Sequence, residues 1–250
     1  MDFDKPLIMI PSRMESSRLP GKPLLDILGL PMVVHVAKRA GLAFGNEQVV
    51  VCTDSSEIIF TCENYNILTI YTKYHHKNGT ERIAEAAEII EAPDDQIIID
   101  VQGDEPFVRP SYIQKVAEFT RENRFDCVVP HQGFEEYANE NRVKIISSGN
   151  KVVYFSRADA PYNFSEPVKP LKKHLSIIGF KNSALKAYCN LEQGELEKLE
   201  NVELMRYIEH GMSVGTFEID GSSLSVDNHL DYEKAVRAMR TDELRKMYTT

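Results

Sequence analysis

The sequence predicts an α/β fold with a mostly parallel central sheet and an α+β second lobe. Three observations carry this reading. Short apolar runs alternate with segments of helical period through the first half; the first run ends abruptly in a polar loop, as a buried parallel strand does; and beyond Cys127 the rhythm turns irregular, with proline-containing loops between short strands. Alternating strand and helix periods place helices on both faces of a parallel sheet and ligand sites at the carboxyl ends of its strands. No low-complexity linker separates the halves, so residues 1–250 are expected to form one domain, with halves at 1–126 and 127–250.

Residues 7–10 form the first apolar run, which ends at Pro11 and opens a loop reaching about Pro23. Val33, Val36, Ala37 and Ala40 then recur at helical spacing, and valine-rich residues 48–53 supply a second strand. Asp54, with Glu57 three residues on, gives a start like a capping box for the helix that leads to a strand at 68–71. Ile83, Ala86, Ala87 and Ile90 mark the next amphipathic helix, and a strand at 96–101 follows. In the second half, strands are expected at 143–146, 151–155 and 175–179, with His174 at the head of the last. Helices at 196–210 and 230–239 bracket a final strand at 214–218.

An apolar fraction of 42% and a charged fraction of 27% are those of an ordinary globular domain. The net charge of −9 repels nucleic-acid backbones and anionic membranes, although a few Arg and Lys in a cleft can still set a local field for an anionic substrate. Cys52, Cys62, Cys127 and Cys189 show neither a CxxC pair nor zinc-ligand spacing with histidine, and read as reduced thiols. The opening MDFDKPLIMIP carries two Asp and an apolar run too short for a signal peptide or a membrane span, so a cytoplasmic location is expected.

Three strings carry chemistry. In PSRMESSRLPGKPL, Arg13, Arg18 and Lys22 share one loop with Ser12, Ser16, Ser17 and Gly21 directly after the first strand. Arg offers a planar fork to phosphate oxygens, Lys a mobile point charge, and glycine lets the backbone approach closely, so the loop suits a triphosphate. It is not a Walker A loop, because Pro23 follows Lys22 where Ser or Thr is required; the plainer alternative is a solvated basic turn. VQGDEP, residues 101–106, brings Asp104 to the sheet's carboxyl edge, where a hard cation bridging phosphates needs oxygen ligands. LSVDNHLD, residues 224–231, offers Asp227 as a second carboxylate. Helix capping is the competing role for both. Between the first two strings, NGTER at 78–82 starts a helix whose free amides suit a base or ribose, and a lone His174 reads either as a structural residue or as a ligand contact.

Taken in order, IPSRMESSRLPGKPL, GTER, VQGDEP, VVYFSRADAP, KHLSIIGF, the 203–206 helix and VDNHLD resemble the 3-deoxy-manno-octulosonate (Kdo) cytidylyltransferases, the CMP-Kdo synthetases, across nearly the whole chain. The resemblance implies a Rossmann-like nucleotide-diphospho-sugar transferase fold and a homodimer. It implies Mg²⁺-dependent transfer of CMP from CTP to an acidic eight- or nine-carbon keto sugar, with residues 1–126 binding nucleotide and 127–250 binding sugar and dimerising. By the same resemblance Pro11, Ser12, Arg13, Ser17, Arg18, Lys22 and Gly103 contact the nucleotide, Gly79 and Thr80 lie near the cytosine, and Asp104 and Asp227 hold Mg²⁺. Lys22, Asp104 and Asp227 form the catalytic set, and Gln102, Arg157, His174, Glu203 and Arg206 line the sugar pocket, Arg157 facing the sugar carboxylate. Departures from the family pattern fall mainly in the sugar half: Tyr162 for tryptophan, Phe180 for tyrosine, Leu204 for glutamine, SLSVD before the last motif, and, in the nucleotide loop, Ser12 for alanine. A neuraminic or amino-Kdo acceptor, a non-catalytic nucleotide-binding protein of the same fold, and transfer to a sugar 1-phosphate are the alternatives.

Overall fold

The computed structural model describes residues 1–16, 18–162, 164, 170–221 and 224–249 of the chain. Strand β1 (Leu7–Pro11) is buried over its first four residues and sends them alternately to two cores. Leu7 and Met9 face one, Ile8 and Ile10 the other, which is why the run reads as continuously apolar rather than alternating. After the polar loop, a small hairpin of β2 (Asp26–Ile27) and β3 (Leu30–Pro31) turns through Leu28 and Gly29, both at positive φ as a tight hairpin requires. Helix α1 (Met32–Phe44), strand β4 (Val49–Thr53), helix α2 (Ser56–Asn64) and strand β5 (Leu68–Tyr71) follow. Helix α3 (Gly79–Ile89) and strand β6 (Ile97–Val101) complete a parallel array in the order β5-β4-β1-β6. α1 and α2 cover one face, with Val33, Val36 and Ile58, and α3 covers the other with Ile83, Ala86 and Ala87.

Beyond β6 the chain adds α4 (Pro110–Glu122), β7 (Cys127–Val128), β8 (His131–Phe134), β9 (Lys144–Ser148), β10 (Lys151–Ser156), β11 (Leu171–His174) and β12 (Ile177–Lys181). Helices α5 (Asn182–Cys189), α6 (Glu195–Glu200) and α7 (Met205–Glu209), strand β13 (Val214–Gly215) and helix α8 (His229–Met239) finish the fold. β12 returns antiparallel against β6 and carries the sheet onward through β7, β13, β10, β9, β11 and β8. Pairings in this lobe are antiparallel except β7 with β13, so the sheet changes from crossover-connected to hairpin-connected as it leaves the first half. Among the described residues no helix is long and apolar enough to cross a membrane.

Three local expectations are corrected. The cap of α2 is Ser55, whose hydroxyl accepts from the Ile58 amide at 3.4 Å, so the helix starts one residue later than the Asp54 reading. The helix expected over 196–210 is two helices, α6 and α7, because Asn201 takes a left-handed conformation at φ 50° and ends the first. His174 closes β11 instead of opening β12.

Candidate active site

Three chain segments converge at the carboxyl ends of β1 and β6. Gly103 lets the end of β6 lie against β1: a Cβ there would stand 3.0 Å from the Pro11 carbonyl oxygen. Gly79 does the same for the start of α3, where a Cβ would meet Pro11 Cγ at 3.1 Å and Gln102 Nε2 at 3.3 Å. Asn78 caps α3 by accepting from the Glu81 amide at 2.9 Å, and its own amide donates to the Tyr188 hydroxyl at 2.8 Å. The convergence leaves a cleft of about 310 Å³.

The loop after β1 forms one wall of that cleft. The Ser12 amide donates to Cys52 O at 2.9 Å, continuing the β1–β4 ladder, and Gly21 turns the chain at φ 67° into a short 3-10 turn beginning at Lys22. Lys22 Nζ then reaches Asp104 Oδ2 at 2.7 Å and Val226 O at 3.1 Å. Arg18 Nη2 reaches Asp227 Oδ1 at 3.2 Å, and Arg13 lines the cleft with no ion pair to a described residue. Asp227 is brought there from the far end of the sequence by the Val226 amide, which donates to Asp104 O at 2.9 Å. Neither carboxylate is a helix cap. Asn228 caps α8, accepting from the Asp231 amide at 3.0 Å, and the cap position of α4 is Arg109, with no side-chain bond.

Pro11, Ser12, Arg13, Arg18, Lys22, Gly79, Gly103, Asp104 and Asp227 thus line one cleft, as the sequence places them. Thr80 is buried and does not line it; its amide approaches Glu203 Oε2 at 3.5 Å. Ser17 lies outside the described residues. The described residues contain no cluster of three or more His, Cys, Asp or Glu side chains fit to hold a metal. Two carboxylates beside a loop with three cations suit Mg²⁺, which takes one or two protein oxygens and completes its shell with phosphate and water, and do not suit a closed zinc site.

A second cavity, of about 280 Å³, shares Asn78 and Gln102 with the cleft and carries His174, Ser176 and Glu203 on its walls. Burial raises the Glu203 carboxyl to about 7 and pushes His174 down to about 4, the neighbouring Lys173 charge adding to the latter. Gln102 Nε2 donates to Asp100 Oδ2 at 2.8 Å, which fixes its amide between the two cavities; burial, and next the Glu203 charge, hold Asp100 well above the usual carboxylate range. The other two expected sugar contacts are not brought here. Arg157 donates to the carbonyls of Glu200, Glu140 and Asn201 at 2.5, 2.9 and 3.1 Å, and its guanidinium lines neither cavity. Arg206 is buried between Glu197 (2.7 and 2.8 Å) and Glu81 (3.3 Å) and lies 4.2 Å from the Tyr188 ring centre. Asn78, His76 and Arg82 are wall residues that motif reading did not single out as contacts; the string NGTER and its preceding histidines were the available signal.

A mixed sheet whose parallel half ends in a loop that gathers cations opposite two carboxylates suits a nucleotidyltransferase. The family model described as Cytidylyltransferase matches residues 7–214, and the chain belongs to the cytidylyltransferase family. The chain is 34% identical to the 3-deoxy-manno-octulosonate cytidylyltransferase of Nitratiruptor sp., over 91% of this chain and 97% of that one. It is 37% identical to the protein of the same name from Methylococcus capsulatus, over 92% and 95%. Its fold matches a solved CMP:2-keto-3-deoxy-manno-octonic acid synthetase complexed with CTP, with a TM-score of 0.88 and 32% identity over 94% of this chain and 98% of the other.

Proposed function

We propose that the chain transfers CMP from CTP to the anomeric hydroxyl of Kdo, releasing pyrophosphate, as a Mg²⁺-dependent cytoplasmic homodimer. The observation that carries the reading is the joining of two cavities through Asn78 and Gln102. One has the charges for a triphosphate and the other has buried hydrogen-bonding groups for a polyhydroxylated acceptor. The anomeric oxygen attacks the α-phosphorus, the bond to the β-phosphate oxygen breaks, the hydroxyl proton is lost and pyrophosphate leaves. Such a displacement asks the protein for alignment and charge neutralisation instead of covalent catalysis.

Arg13, Arg18 and Lys22 hold the triphosphate from the loop side, and the α3 start at Gly79 faces the base. Asp104 and Asp227 would hold Mg²⁺, which when bound lowers the charge on the phosphates and acidifies the attacking hydroxyl. Gln102, His174 and Glu203 orient the sugar. His174, neutral above about pH 5 given its lowered pKa, can accept or donate a hydrogen bond without adding charge. The homodimer reading draws support from the exposed pair Tyr162 and Phe164 in the second lobe, ring centres 6.4 Å apart and 85% and 92% exposed.

Pyrophosphate release should require CTP, Mg²⁺ and Kdo together, and an acceptor panel should rank Kdo above neuraminic acid and 8-amino-Kdo. In Lys22→Ala, turnover should fall by an amount on the order of 2.7–4 kcal/mol in the barrier, the scale for removing one preorganised charge-stabilising group. Unchanged turnover in that variant would remove Lys22 from the catalytic set.

A further inference from the structure

The charged groups around the two cavities are nearly all matched. Lys22 and Arg18 face Asp104 and Asp227, Arg206 lies between Glu197 and Glu81, and Arg157 is taken up by three carbonyls. Lys144 donates to Asn139 O and Arg157 O and pairs with Asp159 at 3.2 Å. Two half-buried cations are not matched. Among the described residues, the Lys173 ammonium and the Arg142 guanidinium have neither an ion pair nor a hydrogen bond.

These two line one small cavity of about 130 Å³, together with three carboxylates, Asp104, Glu105 and Asp227, and with His174 and Ser176. The cavity therefore touches the nucleotide cleft through Asp104 and Asp227 and the sugar cavity through His174, Ser176 and Val143. Backbone pairing sets the arrangement. Lys173 stands in register with Lys144 across β9 and β11, and the His174 amide donates to Val143 O at 2.9 Å, which holds Arg142 level with the end of β11. The proximity shows in the electrostatics. Burial and then the Arg142 charge lower the Lys173 pKa, while Glu105, Glu136 and Asp227 act in the opposite sense.

Two unmatched, partly desolvated cations side by side make a site for an anion. The loop cations Arg13, Arg18 and Lys22 already line the first cleft beside Asp104 and Asp227, whereas this cavity shares Val143, His174 and Ser176 with the second one. We propose that Lys173 and Arg142 form the subsite for the carboxylate of the ulosonic acid acceptor, and that they select an acid over a neutral sugar. This assignment rests on the Kdo-transfer reading. It gives to Lys173 and Arg142 the role that the sequence suggested for Arg157.

The test is steady-state kinetics on Kdo and on its C1 methyl ester, which keeps the hydroxyls and loses the charge. Lys173→Met should raise KM for Kdo roughly 10- to 100-fold, the scale of one charge-assisted hydrogen bond. KM for CTP should stay unchanged, which also reports an intact fold, and Lys173→Arg should recover most of the loss. Arg142→Met, on a loop, should act in the same direction. The wild-type preference for acid over ester should collapse in both Met variants. The proposal is overturned if the variants keep that preference, or if KM for CTP rises in place of KM for Kdo, which would make the bound anion a phosphate. A wild-type enzyme that makes CMP-sugar from other acids but none from Kdo would defeat the Kdo reading and leave the subsite to be scored on those acids by the same acid–ester comparison. A wild type inactive on every acid would defeat both.

Discussion

Lys22 and Asp104, 2.7 Å apart, and Arg18 and Asp227, 3.2 Å apart, tie the cations that suit phosphate to the carboxylates that suit a divalent ion. An ion that takes the carboxylates frees the cations, and a triphosphate that takes the cations frees the carboxylates. CTP and Mg²⁺ should therefore bind with positive coupling, each strengthening the other at least about tenfold, within the usual range for linked sites. Calorimetric titration of CTP with and without Mg²⁺ measures it, and equal affinities would refute the exchange. Glu203 gives a second prediction at this scale. Its folded pKa, about 7, lies above the ordinary 4.5, so the folded state holds the proton more tightly than the unfolded chain. Its contribution is then fully present below pH 4.5 and is lost as pH rises to about 7, by at most about 3 kcal/mol. Between pH 5 and 8 the Glu203→Gln variant should show a flatter dependence of melting temperature on pH than the parent. A parallel pair of curves would show that Glu203 ionises normally.

At the level of elements, the seat of α4 on β12 depends on Gly179, where a Cβ would fall 2.1 Å from Thr120 Oγ1 and 2.9 Å from Val116 Cγ1. Gly179→Ala should cost about 1–3 kcal/mol in urea unfolding, the usual penalty for overpacking; an unchanged midpoint would mean that α4 slides freely. The parallel strands were legible because each is an apolar run between polar turns, and β1, β4, β5 and β6 lie within a residue or two of their expected bounds. The second lobe was harder to read. β7 and β13 are two residues long and are defined by their partners, not by local composition, and α6 and α7 are separated by residues 201–204, beginning at the left-handed Asn201. The cleft was legible for the same reason as the strands, since most of its groups sit in contiguous strings after β1 and β6. Lys173 and Arg142 were not, because an unmatched charge becomes visible only when every neighbouring charge has found its partner. Arg157 shows the opposite case: its place in VVYFSRADAP is clear in the sequence, but the carbonyls that its side chain meets are a tertiary matter.

Across the whole molecule, one sheet joins the halves, so the cleft and the second cavity are held at a fixed spacing by the antiparallel pairing of β6 with β12. The C-terminal segment is fastened to the first half as well. Arg39, buried on α1, donates to both Asp242 oxygens at 2.8 and 2.9 Å and to Val108 O at 2.8 Å, so α8 lies in the chain between the Asp242 anchor and the Val226–Asp104 hydrogen bond. The proposed homodimer belongs to this scale: light scattering at micromolar concentration should return twice the 28.5 kDa chain mass, and a stable monomer would refute it. Mass spectrometry of the products from CTP, Mg²⁺ and Kdo tests the reaction itself. One CMP-Kdo, carrying a single phosphate between cytidine and sugar, should form for each pyrophosphate released. A product with a diphosphate bridge, or nucleotide hydrolysis indifferent to any acid acceptor, would contradict it.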